Sequence, residues 1–211
     1  MKKIDLSLYL ITDKEGLSEE VFLNKIDAAL KNGVTLLQLR EKNATTYDYL
    51  NLAQKVKKVA DKYAVPFIID DRVDIALACA ADGVHLGQED MPIDVARKLL
   101  GKDKIIGATA KTIEQAQQAQ LLGADYLGVG AIYPTTTKVK TVLTKVETLK
   151  DICANVAIPV AAIGGLNSEN LAVLENSGIR GICVVSAIMK AEDSGETAKV
   201  LKQKAKQLIA D

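Results

Sequence analysis

Eight short apolar runs alternate with amphipathic segments along the whole chain, and this repeat constrains the fold more than any other feature. The runs are "SLYLITD", "GVTLLQLR", "PFIIDD", "GVHLGQ", "IIGATA", "YLGVGAIY", "PVAAIGG" and "GICVVSAI". Each is a continuous aliphatic stretch, typical of a strand buried on both faces. The clearest intervening segment, residues 45–65, repeats apolar side chains at steps of three and four: Tyr49, Leu52, Ala53, Val56, Val59, Ala60 and Tyr63. This spacing predicts a helix that covers a sheet.

Buried strands alternating with amphipathic helices indicate a parallel sheet, and eight such units indicate closure into a (β/α)8 TIM barrel. We therefore expect one domain over residues 1–211, with tight loops because the chain is short for this fold. An open doubly wound sheet is the competing architecture. It is disfavoured because "LYLITDKEGL" has no G-x-G-x-x-G turn after the first strand.

Composition excludes several classes of function. Lys plus Arg (27) balance Asp plus Glu (27) and Trp is absent, so no basic or aromatic surface for nucleic acid is indicated. Cys79, Cys153 and Cys183 are widely spaced without a C-x-x-C pair, which favours reduced thiols in the core. The N-terminal apolar run is too short for a signal or membrane segment. We expect a cytoplasmic protein without membrane or nucleic-acid partners.

Polar side chains close most of the apolar runs. In a barrel the carboxyl ends of the strands meet at one mouth, where catalysis takes place. This explains why the core-like run "PFIID" ends in two aspartates: Asp70 and Asp71 must lie where a cation or water reaches them. The other residues expected at the mouth are Gln38, Arg40, Glu41, Lys42, Gln88, Glu89, Asp90, Thr109, the "YPTTTK" loop, Gly164, Gly165, Val185 and Ser186.

Two chemical groups stand out at this predicted mouth. Asp71 and Asp90 offer hard oxygen ligands suited to one Mg²⁺ that also takes water and substrate phosphate. Arg40, Lys42 and Lys138 are cations suited to phosphate oxygens. Together they suggest a diphosphate bridged by a metal, and the alternative is that these acids and bases simply form ion pairs with each other at the rim.

The loops after strands 6, 7 and 8 suggest a second phosphate site. Gly164-Gly165 and the small Ser186 leave backbone N–H groups free, in the loops where barrels commonly hold phosphate. Thr135–Thr137 add three hydroxyls. His85, the only histidine, falls mid-strand, so we favour a structural role or one exerted through a neighbouring residue. No general base and no catalytic triad can be assembled.

Six motifs in order, "QLREK", "DDRVDIA", "ADGVHLGQED", "GADYLGVGAIYPTTTK", "IGGL" and "VVSAI", resemble the thiamine-phosphate synthase family over nearly the whole chain. The resemblance implies a transferase that joins 4-amino-2-methyl-5-(diphosphooxymethyl)pyrimidine to 4-methyl-5-(2-phosphooxyethyl)thiazole. It implies Mg²⁺ as cofactor, diphosphate as leaving group, thiamine phosphate as product, and a homodimer or higher oligomer.

The resemblance also implies residue roles. Contacts to the pyrimidine diphosphate are implied for Gln38, Leu39, Arg40, Glu41, Lys42, Asp70, Thr109 and Lys138. Among these, Arg40, Lys42, Thr109 and Lys138 are implied to be catalytic. Asp71 and Asp90 are implied to bind Mg²⁺. The thiazole phosphate is implied to contact Thr135, Thr136, Thr137, Gly165, Val185 and Ser186.

Four positions depart from the family pattern: Asp70 replaces Asn, Thr109 replaces Ser, Ala131 replaces Pro, and Lys140 replaces Asp. Asp70 puts a negative charge beside the expected diphosphate. It could act as a further metal ligand, or be partly protonated through repulsion from Asp71.

Three alternative functions stay open on the sequence. A thiazole tautomerase-like barrel would bind the thiazole phosphate without diphosphate chemistry, but it has little use for Asp71 and Asp90. A non-catalytic binder of thiazole phosphate would bind without turnover. A generic phosphate-sugar isomerase fits the glycines after strand 7 but leaves the metal acids unexplained.

Overall fold

A computed structural model describes residues 4–135 and 142–209, in which eight parallel strands close into a barrel in chain order. The strands are β1 (Leu8–Ile11), β2 (Leu36–Leu39), β3 (Phe67–Asp70), β4 (Gly83–Leu86), β5 (Ile105–Ala110), β6 (Tyr126–Gly130), β7 (Val160–Ile163) and β8 (Gly181–Val184). β8 pairs with β1, placing Cys183 beside Tyr9, and this pairing closes the sheet. The predicted (β/α)8 barrel is confirmed.

Helices cover the outside of the barrel. They are α1 (Glu19–Lys31), α2 (Thr46–Asp61), α3 (Val73–Ala78), α4 (Ile93–Leu100), α5 (Ile113–Leu121), α6 (Val146–Asn155), α7 (Ser186–Met189) and α8 (Ser194–Leu208). Side chains of Ser18, Thr45, Thr112 and Asp193 accept the first backbone N–H groups of four of them. No helix in the described ranges is long and apolar enough to cross a membrane.

The expectation of a helix after every strand is wrong at one connection. Between β7 and β8 the chain forms only a short 3₁₀ turn, Leu171–Leu174. Its leucines at both ends are buried, but the flanking sequence is rich in Asn, Ser and Gly, which compete with helix formation. A single turn is sufficient to bring the chain back to β8.

The core has two layers. The larger one lies between the sheet and the helices and includes the α2 face: Tyr49, Leu52, Ala53, Val56, Val59 and Ala60 are buried as predicted. Tyr63 is only half-buried because it follows the end of α2, and its hydroxyl donates to Asp27 at 2.9 Å. The smaller layer fills the barrel interior and contains Leu6, Tyr9, Ile11, Leu36, Ile68, Ile105, Tyr126, Ala161 and Cys183. This interior layer forms the base beneath the mouth.

Candidate active site

A cavity of about 190 Å³ opens at the carboxyl ends of the strands. Twelve of the residues expected at the mouth line it: Gln38, Arg40, Lys42, Asp70, Asp71, Asp90, Thr109, Thr135, Gly164, Gly165, Val185 and Ser186. They come from strands and loops around the whole barrel, which is the arrangement that lets this fold assemble a site from distant sequence positions.

Several residues expected at the site do not line the cavity, among them Leu39, Glu41, Gln88 and Glu89. Leu39 points outward into the layer between sheet and helices, and its carbonyl accepts a hydrogen bond from Tyr49 Oη at 2.8 Å. Glu41 lies near Asp13 and Lys14, and burial raises the pKa of its carboxyl. Side chains alternate along a strand, so a continuous five-residue motif cannot turn every side chain inward. Thr136, Thr137, Lys138 and Lys140 lie outside the described residues.

Asp71 and Asp90 meet at the rim although they follow different strands. Asp71 adopts a left-handed backbone with φ of 60°, and its N–H donates to the His85 carbonyl at 2.9 Å. The Asp90 carboxylate accepts from Gly87 N–H at 2.6 Å. Burial raises the pKa of Asp90, and the hydrogen bond and negative charge of Asp71 raise it further. A divalent cation would relieve this crowding of carboxylates.

The two carboxylates of Asp71 and Asp90 suit Mg²⁺, which needs few protein ligands, better than a metal ion that is coordinated entirely by protein side chains. Among the described residues, no group of three or more His, Cys, Asp or Glu side chains is arranged to hold a metal ion. An ion at Asp71 and Asp90 would therefore take its other oxygens from water and a bound phosphate, which is how Mg²⁺ commonly binds.

Lys42 ties the acidic and basic groups together. Its ammonium hydrogen-bonds the Asp71 carboxylate and lies 3.1 Å from Asp70 Oδ2, while Arg40 Nε lies 3.6 Å from that same oxygen. Burial lowers the pKa of Lys42, but the bonds and charges of Asp71 and Asp70 outweigh this and raise it. The rim ion pairs considered as an alternative thus exist in this structure. A phosphate ligand would have to share these two cations with Asp70.

Asp70 is the most buried acid of the site, with 8% of its surface exposed. Its Oδ2 has these two ionic contacts but no hydrogen bond of ordinary geometry within the described residues. Burial raises its pKa, while Lys42 and Arg40 partly counteract the shift. Loss of water around Asp70 is thus the main cause of the raised pKa, and the repulsion that adds to it comes from Asp90 rather than from Asp71, the neighbour expected to cause it.

Not every residue of the cavity was expected from the sequence. Lys111 lines it directly after β5, where a cation at a strand end gave the same signal as Arg40. Gly164, which was expected at the mouth, lines it with φ of 104°, and a Cβ there would lie 2.3 Å from Ala131 Cβ. A side chain at position 164 would thus be strained and would overlap Ala131, which follows the neighbouring strand β6. The altered position Ala131 therefore packs against Gly164.

A sequence model of one protein family, described as thiamine monophosphate synthase, matches residues 8–188. The chain belongs to this family.

Relatives within the thiamine monophosphate synthase family extend the match to nearly full length. Thiamine-phosphate synthase 2 of Streptococcus pneumoniae is 52% identical over 204 residues, covering 96% of this chain and 97% of the relative. Thiamine-phosphate synthase of Methanobrevibacter smithii is 53% identical over 193 residues, covering 92% of each. The solved structure of a thiamine phosphate pyrophosphorylase from Pyrococcus furiosus superposes with a TM-score of 0.89 at 39% identity, covering 98% of both chains.

More distant barrels resemble the chain in fold alone. A 3-hexulose-6-phosphate synthase superposes with a TM-score of 0.72 at only 18% identity, covering 97% of this chain and all of the other. The relatives named above are transferases by their names, and membership of their family identifies this chain as an enzyme.

Proposed function

We propose that this protein is a thiamine-phosphate synthase that joins the pyrimidine diphosphate to the thiazole phosphate, forming thiamine phosphate and releasing diphosphate. The observation that carries the proposal is 52% identity over 96% of the chain to a protein named for this activity. The cavity supports it, because acids and cations suited to a metal-bound diphosphate lie together at its rim.

The proposed diphosphate end of the site is the rim over β2, β3 and β4. Arg40 and Lys42 would pair with phosphate oxygens, and Thr109 would add a hydroxyl from β5. Asp71 and Asp90 would hold Mg²⁺, which supplies charge neutralisation for the leaving group when bound. Lys138 belongs to this proposal by resemblance, although it lies outside the described residues.

The thiazole phosphate is assigned to the opposite part of the mouth. Gly165, Val185 and Ser186 line the cavity after β7 and β8, and Thr135 lines it after β6. The positive φ of 65° at Gly165 suits a turn that presents backbone N–H groups to an anion. Two separate phosphate sites match a reaction between two phosphorylated substrates.

The reaction is proposed to proceed by departure of diphosphate before the thiazole nitrogen attacks the pyrimidinylmethyl cation. This order requires stabilised negative charge rather than a general base. Among the described residues that line the cavity, His85 is the only histidine, and both of its ring nitrogens are hydrogen-bonded within the protein. The residues at the mouth therefore suit charge stabilisation better than proton abstraction.

The test is diphosphate release by the purified protein given both substrates, with Mg²⁺ and then with excess chelator. We expect metal-dependent release accompanied by thiamine phosphate, and loss of both in Asp71→Asn. Asp61→Asn is the matched control, because Asp61 pairs with Lys57 at the end of α2. Binding of thiazole phosphate without release would instead support a tautomerase-like barrel or a binder. The homodimer stays a prediction, and the molar mass measured by light scattering would test it.

A further inference from the structure

A line of hydrogen bonds crosses the barrel interior beneath the cavity, from β2 to β5. Gln38 Nε2 donates to Tyr9 Oη, and Tyr9 Oη lies 3.0 Å from Tyr126 Oη. Tyr126 Oη lies 3.0 Å from His85 Nδ1, and His85 Nε2 lies 2.9 Å from Thr109 Oγ1. The two ends, Gln38 and Thr109, both line the cavity. The chain of contacts therefore connects two proposed ligand-binding residues on opposite sides of the barrel.

The strands make room for the rings of this network. A Cβ on Gly107 would lie 2.1 Å from Tyr126 Cζ, and one on Gly128 would lie 3.3 Å from His85 Cε1. The tyrosine rings meet edge to face, with centroids 5.8 Å apart. Tyr9 and Tyr126 are almost fully buried, so their hydroxyls depend on each other and on their neighbours for hydrogen bonds.

The network has a direction because an amide nitrogen can only donate. If Gln38 donates to Tyr9, then Tyr9 donates to Tyr126, and Tyr126 donates to His85 Nδ1. The neutral imidazole then carries its proton on Nε2 and donates to Thr109 Oγ1, so the Thr109 hydroxyl proton is left for the cavity. A doubly protonated imidazole would leave a buried tyrosine hydroxyl without an acceptor, which is costly. Burial also raises the pKa of both tyrosines well above the ordinary value, so both hydroxyls keep their protons.

We propose that His85 is a positioning residue: held as the Nε2–H tautomer by Tyr126, it fixes Thr109 as a hydrogen-bond donor to an acceptor atom of the pyrimidine diphosphate. The identity of the ligand in this proposal rests on the proposed function. The direction of the hydrogen-bond network does not. A Thr109 hydroxyl that rotated freely would present a lone pair or a proton to the ligand equally well. The buried network removes this freedom. The site would thus favour an acceptor at that point.

The tautomer can be measured directly because His85 is the only histidine in the sequence. In untagged, ¹⁵N-labelled protein without ligand, long-range ¹H–¹⁵N spectra at pH 7.5 report the protonation of each ring nitrogen. We expect one neutral Nε2–H form, and a mixture of tautomers in Tyr126→Phe. An Nδ1–H form or an imidazolium in the native protein would overturn the proposal whether or not the enzyme makes thiamine phosphate.

Kinetics then test the link to the ligand. Loss of one oriented hydrogen bond predicts that Tyr126→Phe raises KM for the pyrimidine diphosphate by about tenfold, with KM for the thiazole phosphate unchanged. Thr109→Val should have the same effect on this KM, and combining it with Tyr126→Phe should raise the KM little further. Thr109→Ser keeps the hydroxyl and should show native KM values. Tyr63→Phe is the control, because that hydroxyl bonds Asp27 outside the barrel.

Two outcomes would refute this link: multiplicative effects in the double variant, or a change confined to the thiazole KM. If Tyr126→Phe does not fold, Tyr9→Phe interrupts the same chain one step earlier and should also weaken the Nε2–H preference. An unchanged tautomer and unchanged KM in a folded Tyr9→Phe would equally refute the proposal. If the native protein makes no thiamine phosphate, the proposed function fails while the NMR result still decides the direction of the network.

Discussion

Asp70→Asn is expected to tighten binding of the pyrimidine diphosphate. The carboxylate of Asp70 lies 3.1 Å from Lys42 Nζ and 3.6 Å from Arg40 Nε, so it occupies the two cations that the ligand would use. Asparagine has nearly the same shape but carries no charge. The substitution therefore removes the Asp70 contact from both cations, leaving Lys42 paired with Asp71 alone, and removes a negative charge beside a polyanion.

The magnitude follows from the geometry. A phosphate oxygen bound to Lys42 would lie about 2.8 Å from its ammonium, which places it within about 6 Å of the Asp70 carboxylate. Repulsion between two unit charges at that distance is about 2.8 kcal/mol at an effective dielectric constant of 20, and about 0.7 kcal/mol in water. We therefore expect KM to fall by roughly three- to hundredfold.

The assay is continuous diphosphate release at saturating thiazole phosphate and Mg²⁺, with calorimetric titration of the pyrimidine diphosphate as an independent measure of affinity. Asp74→Asn serves as the matched control, because Asp74 is exposed on α3 and pairs with Arg72. A rise in KM for Asp70→Asn would refute the electrostatic reasoning. It would show instead that Asp70 holds Lys42 in place or ligates the metal.

Three further outcomes are expected. Lys111→Met should raise KM for one phosphorylated substrate by roughly three- to tenfold, since an ammonium at the cavity wall can form a charge-assisted hydrogen bond to phosphate. Lys102→Met is the control and should leave KM unchanged. If Lys111→Met has the same KM values as the native protein, Lys111 does not belong to the site. Gly107→Ala should destabilise the fold by about 1–3 kcal/mol, because the added methyl meets the Tyr126 ring, and should lower Tm by roughly 2–12 °C in calorimetry. Burial raises the pKa of the Cys153 thiol to about 11, so only about one molecule in a thousand is thiolate at pH 8. Dithionitrobenzoate at pH 8 should therefore react slowly with Cys153 in the folded protein and quickly after denaturation, whereas fast labelling of the native protein would contradict its burial.

The fold could be predicted because each strand and helix carries its own local signal. The pattern of apolar residues along the chain predicts the buried strands and the buried face of α2. Counting the apolar runs gives eight repeats. The 3₁₀ turn Leu171–Leu174 was not predicted, because the expected period was applied where local residues favour a turn. The end of α2 before Tyr63 depends on how the chain enters β3, and side-chain spacing does not contain that information.

The candidate site was predicted in location and chemical character more than in its contacts. Strand-end residues are brought to one mouth by the topology alone, so Asp71, Asp90 and Arg40 were found from their positions. Lys111 carried the same signal and was not selected. His85 was given a structural or indirect role, which its two hydrogen bonds support.

The sequence by itself determined the parallel (β/α)8 barrel, the mouth at which polar residues gather and the family to which the chain belongs. Local hydrophobic period and residue type are sufficient for the fold and the mouth, and six motifs in order carry the resemblance to the family. Only the tertiary structure decided which of the gathered groups touch: Lys42 between Asp70 and Asp71, and the chain from Gln38 to Thr109. Those contacts join residues far apart in sequence, and their geometry depends on barrel register and on space left by glycines in neighbouring strands.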